Sequence, residues 1–281
     1  MSVIYNDHDL GDLFVCGEPD IQWINARPDT LTIPGRDGVA FRDTTLGALI
    51  IKFKVAANGG STPHREAFSY LAHWLDVDEP KKLYLPHMQG RYYYALPDGA
   101  QAIDPGIDGA TSTVQFIALD PAAYGETFTE TLPSGGSLSL DIGGTYPTTI
   151  HAAGKVVPDV ETGRYGMRHV QTGDWLHVKT TGENIPIHWI EISGDTWGDV
   201  KNETWAEMHQ DSWKDATHAV LVPDSECDIE FDTGTRELRI NDAWTVPTLD
   251  SNWIILKPGH QTLTNDLGTG DVEITWTERW L

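Results

Sequence analysis

The sequence predicts a mainly β protein of two domains: an α+β N-terminal domain with one helix packed on a β-sheet, then a C-terminal β-sandwich. Three observations predict it. Short apolar runs separated by turn residues recur along nearly all of the 281 residues. One segment alone carries apolar residues at helical spacing, and a Pro/Gly-rich break divides the chain near residue 128. A composition of 40% hydrophobic and 22% charged residues suits packed cores throughout.

From Tyr5 to Ile33, runs such as Leu13-Phe14-Val15 and Ile21-Gln22-Trp23-Ile24 mix with Gly, Pro and Asp and read as short strands and turns. After the polar turn Pro34-Gly35-Arg36-Asp37-Gly38, the apolar residues Leu49, Ile51, Phe53 and Val55 alternate at strand period. The helix is predicted from Ser61-Thr62-Pro63 to about Leu75, with Thr62 as its cap and Pro63 at its first position. Ala67, Phe68, Leu71, Trp74 and Leu75 recur at spacings of three and four, which gives one stripe that must pack on a sheet. Lys82–Pro86, Arg91–Leu96 and Thr113–Leu119 then read as strands, the first two joined by His87-Met88-Gln89-Gly90.

Asp120-Pro121 and the tract Pro133-Ser134-Gly135-Gly136-Ser137 interrupt regular structure, so residues 1–128 and 129–281 are taken as the two domains. In the second, strand candidates run Leu138–Ile142, Thr148–Ala152, Trp175–Thr180, Ile187–Ile192, Ala219–Val222, Cys227–Asp232, Glu237–Ile240, Trp253–Leu256 and Val272–Trp280. Their regular spacing predicts a sandwich. One segment departs from this pattern. Trp197, Trp205 and Trp213 recur every eight residues, each after a Thr or Ser and an acid. The rings either tuck onto the sandwich, the preferred reading, or form an aromatic platform for sugar rings.

The totals bound the function. With 42 acidic and 19 basic residues the formal charge is −23, which repels phosphate backbones and argues against direct DNA binding. No apolar run approaches the roughly 18 residues a membrane helix needs, and Met1–Asp7 lacks the basic and apolar regions of a signal peptide, so a cytosol-like folding environment is expected. Cys16 and Cys227 lie far apart, in no CxxC or Cys/His cluster, and read as small buried hydrophobes.

No catalytic constellation emerges. The 11 histidines form no HxH, HExxH or HxxxH pattern, so no metal is expected. Asp76, Asp78 and Glu79 lack the loop a calcium site requires. The nucleophile-elbow, P-loop and dinucleotide-binding signatures are absent, and no cofactor is expected. A glycosidase with two converging carboxylates is a third-ranked reading.

The order and spacing of many weak marks carry a resemblance. Arg27-Pro28, Gly35-Arg36-Asp37-Gly38, the strand ending near Val55, the helix, Lys82-Leu83-Tyr84, Tyr92–Leu96 and Val114–Pro121 resemble the N-terminal domain of siphophage distal tail (Dit) proteins. Gly143-Gly144-Thr145-Tyr146-Pro147, Phe231–Asn241 and Asn252–Gly259 resemble that family's C-terminal galectin-like sandwich.

The resemblance implies a structural virion protein at the distal end of a long non-contractile tail, assembled in the host cytoplasm. It implies a ring, usually of six subunits, as a baseplate or tail-tip hub. The partners implied are further copies of the chain, the tail tube protein, a tail-tip or tail-associated protein and a receptor-binding protein. The alternative is a lectin-like carbohydrate-binding module contacting the host cell surface through Trp197, Trp205 and Trp213. The Trp-rich segment departs from the simplest family pattern, and no long insertion adds a separate carbohydrate-binding module.

Overall fold

The computed structural model describes residues 2–22, 26–35, 37–58, 63–88, 90–99, 103–106, 109–159, 164–179, 226–245, 247, 251–266 and 268–281. They form a mainly β protein with one α-helix, in two units: Met1–Glu126 with Arg279–Leu281, and Thr127–Glu278. The strand Ala123–Leu132 runs unbroken between the two Pro-containing breaks seen in the sequence.

In the first unit the strand Leu49–Ala57 buries Leu49, Ile51, Phe53 and Val55 on one face, as their alternation predicts. It pairs antiparallel with Gly109–Ala118, setting Phe53 opposite Val114 and Ile51 opposite Phe116. The sheet continues through Tyr92–Pro97, Lys81–Tyr84 and Ile4–Tyr5. On its other side Leu49–Ala57 holds the short strands Phe14–Cys16 and Asp20–Ile21.

The helix His64–Leu75 closes this core with Ala67, Phe68 and Leu71 buried. Phe68 meets Phe14 edge-on at 5.1 Å. Trp74 is half-buried and stacks on His8 at 4.7 Å. Thr62 lies outside the described residues. Pro63 precedes the first helical residue instead of occupying it; its carbonyl accepts from the Glu66 and Ala67 amides at 2.9 and 3.1 Å. A shift of one residue is the usual uncertainty of a helix end.

In the second unit, two antiparallel sheets share one core. One sheet orders Ser137–Ile142, Gly259–Asp266, Arg164–His169 and Trp175–Lys179. The other is centred on Thr148–Pro158, which pairs with Cys227–Asp232 and with Val272–Trp280. Glu237–Ile240 and Ala243–Thr245 extend it. Leu140, Met167, Val178 and Leu263 from the first sheet meet Ile150, Phe231, Leu238 and Ile274 from the second. The β-sandwich architecture expected of this half is therefore present.

Several buried polar groups of this sandwich are hydrogen-bonded, as burial demands, whereas the Tyr165 hydroxyl, Asn265 Oδ1 and Trp276 Nε1 are buried without a hydrogen-bond partner among the described residues. His169 is fully buried; its Nδ1 and Nε2 lie 2.7 Å from Thr172 Oγ1 and Gln261 Oε1. With both nitrogens engaged, the ring has none left for a metal. Buried Asn265 donates to the Gly270 carbonyl at 2.8 Å. The strand candidates Ile187–Ile192 and Ala219–Val222 lie outside the described residues.

Candidate assembly surface

The turn around Gly35 and Gly38, both at φ +81°, connects two strands of an exposed ribbon in the first unit. Ala26–Leu31 pairs antiparallel with Ala40–Leu46, from Ala26 opposite Leu46 to Leu31 opposite Ala40, with a register shift between Asp29 and Thr30. Among the described residues these strands pair with no other strand. Every residue of the first is exposed, as are five of seven in the second.

A ribbon of two strands is marginal alone in water. This one also leaves Phe41 70%, Val39 60% and Leu31 55% exposed, and its cross-strand ion pair, Arg42 Nε to Asp29 Oδ2 at 3.7 Å, lies in solvent. Such a pair contributes at most about 1 kcal/mol. Unpaired strand edges and clustered exposed apolar side chains are the usual marks of a surface completed by a partner. From sequence, residues 34–38 read as a turn and no strand is expected at Ala40–Leu46. The available signal is the turn itself, flanked by Leu31-Thr32-Ile33 and Val39-Ala40-Phe41.

A second feature of this unit is an aromatic face on the side of the sheet away from its core. Tyr92 contacts Tyr84, Tyr94 and Tyr124 at ring distances of 5.3, 5.3 and 5.9 Å. Tyr124 donates to Asp120 Oδ2 at 2.5 Å, and Arg279 donates to the same oxygen. Burial, then the bond to Asp120, raises the Tyr124 pKa, so this phenol stays protonated.

Of the residues singled out in the sequence, Trp197, Trp205 and Trp213 lie outside the described residues. Among the described residues no group of three His, Cys, Asp or Glu side chains is arranged to hold a metal. No helix among them is long and apolar enough to cross a membrane.

The first unit is an antiparallel sheet with one helix and an exposed two-stranded ribbon, the second is a β-sandwich, and comparison with known proteins gives the class. Residues 7–118 match the family model of a phage tail protein RIFT-related domain. Residues 221–280 match the C-terminal domain of a siphovirus-type tail component. The chain belongs to the siphophage distal tail (Dit) proteins, components of the phage tail.

Over its full length the chain is similar to the crystal structure of phage SPP1 Dit, described as a paradigm of the hub adsorption apparatus in phages infecting Gram-positive hosts. The TM-score is 0.66 at 18% identity, covering 100% of this chain and 99% of that one. The phage p2 baseplate in its activated conformation, with strontium or with calcium, is more distant. Its TM-scores are 0.46 and 0.43, each at 9% identity and covering 99% of this chain and 97% of that one. No curated protein sequence matches.

Proposed function

We propose that this protein is a subunit of a closed ring at the distal end of a long non-contractile tail, joining the tail tube to tip and receptor-binding proteins. The observation that carries this reading is the solvent-exposed ribbon Ala26–Leu31/Ala40–Leu46. Its natural occupant is a second copy of the chain, because a projection on one side of a subunit docking on a different surface of the next makes a head-to-tail contact. Such contacts close into rings when the rotation permits. Residues 1–128 supply the ring, a hexamer on family precedent, and residues 129–281 form a galectin-like domain that offers docking surfaces outward. The hub role described for phage SPP1 Dit supports the same reading.

The formal charge of −23 has a use in such a ring. DNA leaving a capsid passes the hub, and an acidic lumen disfavours sticking. The role is architectural and requires no catalysis or cofactor. Cryo-electron microscopy of the ring with tail tube and tip proteins tests the reading. Ribbons seated on neighbouring copies and an acidic lumen are expected; ribbons free in solvent, or a lumen lined mainly by Lys and Arg, would sink it.

The eight-residue repeat of Trp197, Trp205 and Trp213 supports a second reading, a lectin-like contact with the host surface. Glycan binding lost in the triple alanine variant, with the ring intact, would favour it.

A further inference from the structure

The hairpin turn at Asn241 and Asp242 fixes an exposed tryptophan in the outer face of the sandwich. Both residues take left-handed backbone, at φ 48° and 64°, the pair of positive values a two-residue type I′ turn requires. The Asn241 amide donates to the Asp228 carbonyl at 2.9 Å, and its side-chain Oδ1 accepts from the Asp228 amide at 2.9 Å. The register this turn sets places Trp244 opposite Arg239, and Arg239 opposite Glu230.

Side chains alternate across a sheet, so these three share the outer face while Ile229, Phe231, Leu238 and Ile240 fill the core. The row is held in place laterally. Arg239 Nη2 lies 3.3 Å from Glu237 Oε2, and His151 Nε2 lies 2.9 Å from Glu230 Oε1. At its end the Trp244 side chain is 66% exposed.

We propose that this row is a binding site for a neutral hexose, with the apolar C–H face of the sugar on the Trp244 indole. Arg239 supplies donors and Glu237 and Glu230 supply acceptors for its hydroxyls. An indole offers a flat apolar face with a polar rim. Strands stand about 4.8 Å apart, so Arg239 is one spacing and Glu230 two spacings from the ring, within reach of a sugar and its hydroxyls. Charged groups already fixed by their neighbours lose little further freedom on binding.

Charge selects the ligand. Asp228 and Glu273 are exposed on the same face, where Lys155 Nζ lies 3.9 Å from Asp228 Oδ1. With Glu230 and Glu237 the acids still outnumber Lys155 and Arg239, so a phosphate-bearing polymer is disfavoured and an uncharged polyol is not. A lone indole among half-exposed charged side chains is also far smaller than the apolar surface that a stable protein interface buries.

The test titrates the full-length protein with neutral oligosaccharides of glucose, galactose, mannose and rhamnose, watching indole N–H resonances by NMR. One of these sugars is expected to move the indole signal that disappears in Trp244→Ala, with a Kd of about 1 mM. Trp244→Ala and Arg239→Ala each weaken that binding by about tenfold or more, with unchanged melting temperatures, whereas Trp244→Phe keeps part of it. Ring assembly is untouched in all three, so the outcome is independent of the ring itself. The proposal is overturned if no neutral sugar moves the Trp244 signal at about 10 mM, if Trp244→Ala binds as well as the parent, or if poly(glycerol phosphate) binds there in preference.

Discussion

Arg279 donates to the carboxylate of Asp120, a residue 159 positions earlier in the chain. The same carboxylate accepts from the Tyr124 hydroxyl at 2.5 Å and, through its other oxygen, from the Ala122 amide at 3.1 Å. Arg91 lies over the ring of Trp280 at 3.5 Å. The last three residues thus belong to the first unit by contact, although a boundary drawn from sequence near residue 128 assigns them to the second domain.

The first prediction concerns that contact. The Arg279 and Asp120 side chains are only 16% and 25% exposed, so removing one partner leaves the other poorly solvated. Asp120→Ala and Arg279→Ala are each expected to destabilise the first unit by about 2–3 kcal/mol. The double variant should cost less than the sum, as read by a double-mutant cycle in urea. Additive losses would show that the two do not act as a pair.

A glycine supplies the second. Gly270 sits at φ +116°, and a Cβ there would lie 2.2 Å from the Lys155 carbonyl oxygen. Backbone on the neighbouring strand cannot move aside as a side chain can. Gly270→Ala should lose about 3 kcal/mol or more, through strain and clash together. Gly173→Ala, strained by φ +75° but with open space around its Cβ, should lose less. Equal urea midpoints for the two would refute the clash.

Alkaline pH gives the third. Burial pushes the Cys227 thiol from its ordinary 9.0 up to about 11, and the Tyr5 phenol from 10.0 up to about 12. Both pKa values are higher in the folded state, so folding favours the protonated forms. Their contribution is full below pH 9.0 and is lost between pH 9.0 and about 11 for Cys227, and between pH 10.0 and about 12 for Tyr5. Urea midpoints should stay level from neutral pH to pH 9.0 as far as these groups act, then fall. Cys227→Ala should delay the onset of the fall; an unchanged profile would count against thiol ionisation as its cause.

The ribbon yields the fourth. Phe41 is 70% exposed, so Phe41→Ser should change the subunit's own stability by only about 0.5 kcal/mol. It should nonetheless shift assembly strongly toward monomer, read as mass by light scattering. A variant that assembles like the parent would remove the ribbon from the interface.

Where the apolar pattern and the burial pattern coincide, the fold is legible in the sequence. Leu49–Ala57, Cys227–Asp232 and Val272–Trp280 alternate cleanly, and each is a strand that buries alternate residues. Gly259–Asp266 is hidden because its inward positions are Gln261, Leu263 and Asn265, and two polar residues out of three erase the signal. Arg164–His169 is hidden for a related reason: His169 is fully buried, satisfied by Thr172 and Gln261, partners that no local pattern reveals. The ribbon fails the other way. A strand exposed on both faces shows no inside and outside, so periodicity cannot find Ala40–Leu46. Trp244 carries no signal of its own because its meaning depends on the cross-strand register with Arg239.

The most direct measurement is the mass of the purified full-length protein in solution, by light scattering across a concentration series, with negative-stain imaging of the same sample. Self-association through the ribbon predicts a closed ring of about six copies with an open centre, dissociating in Phe41→Ser. A compact monomer at every concentration, identical in the parent and in Phe41→Ser, would contradict it.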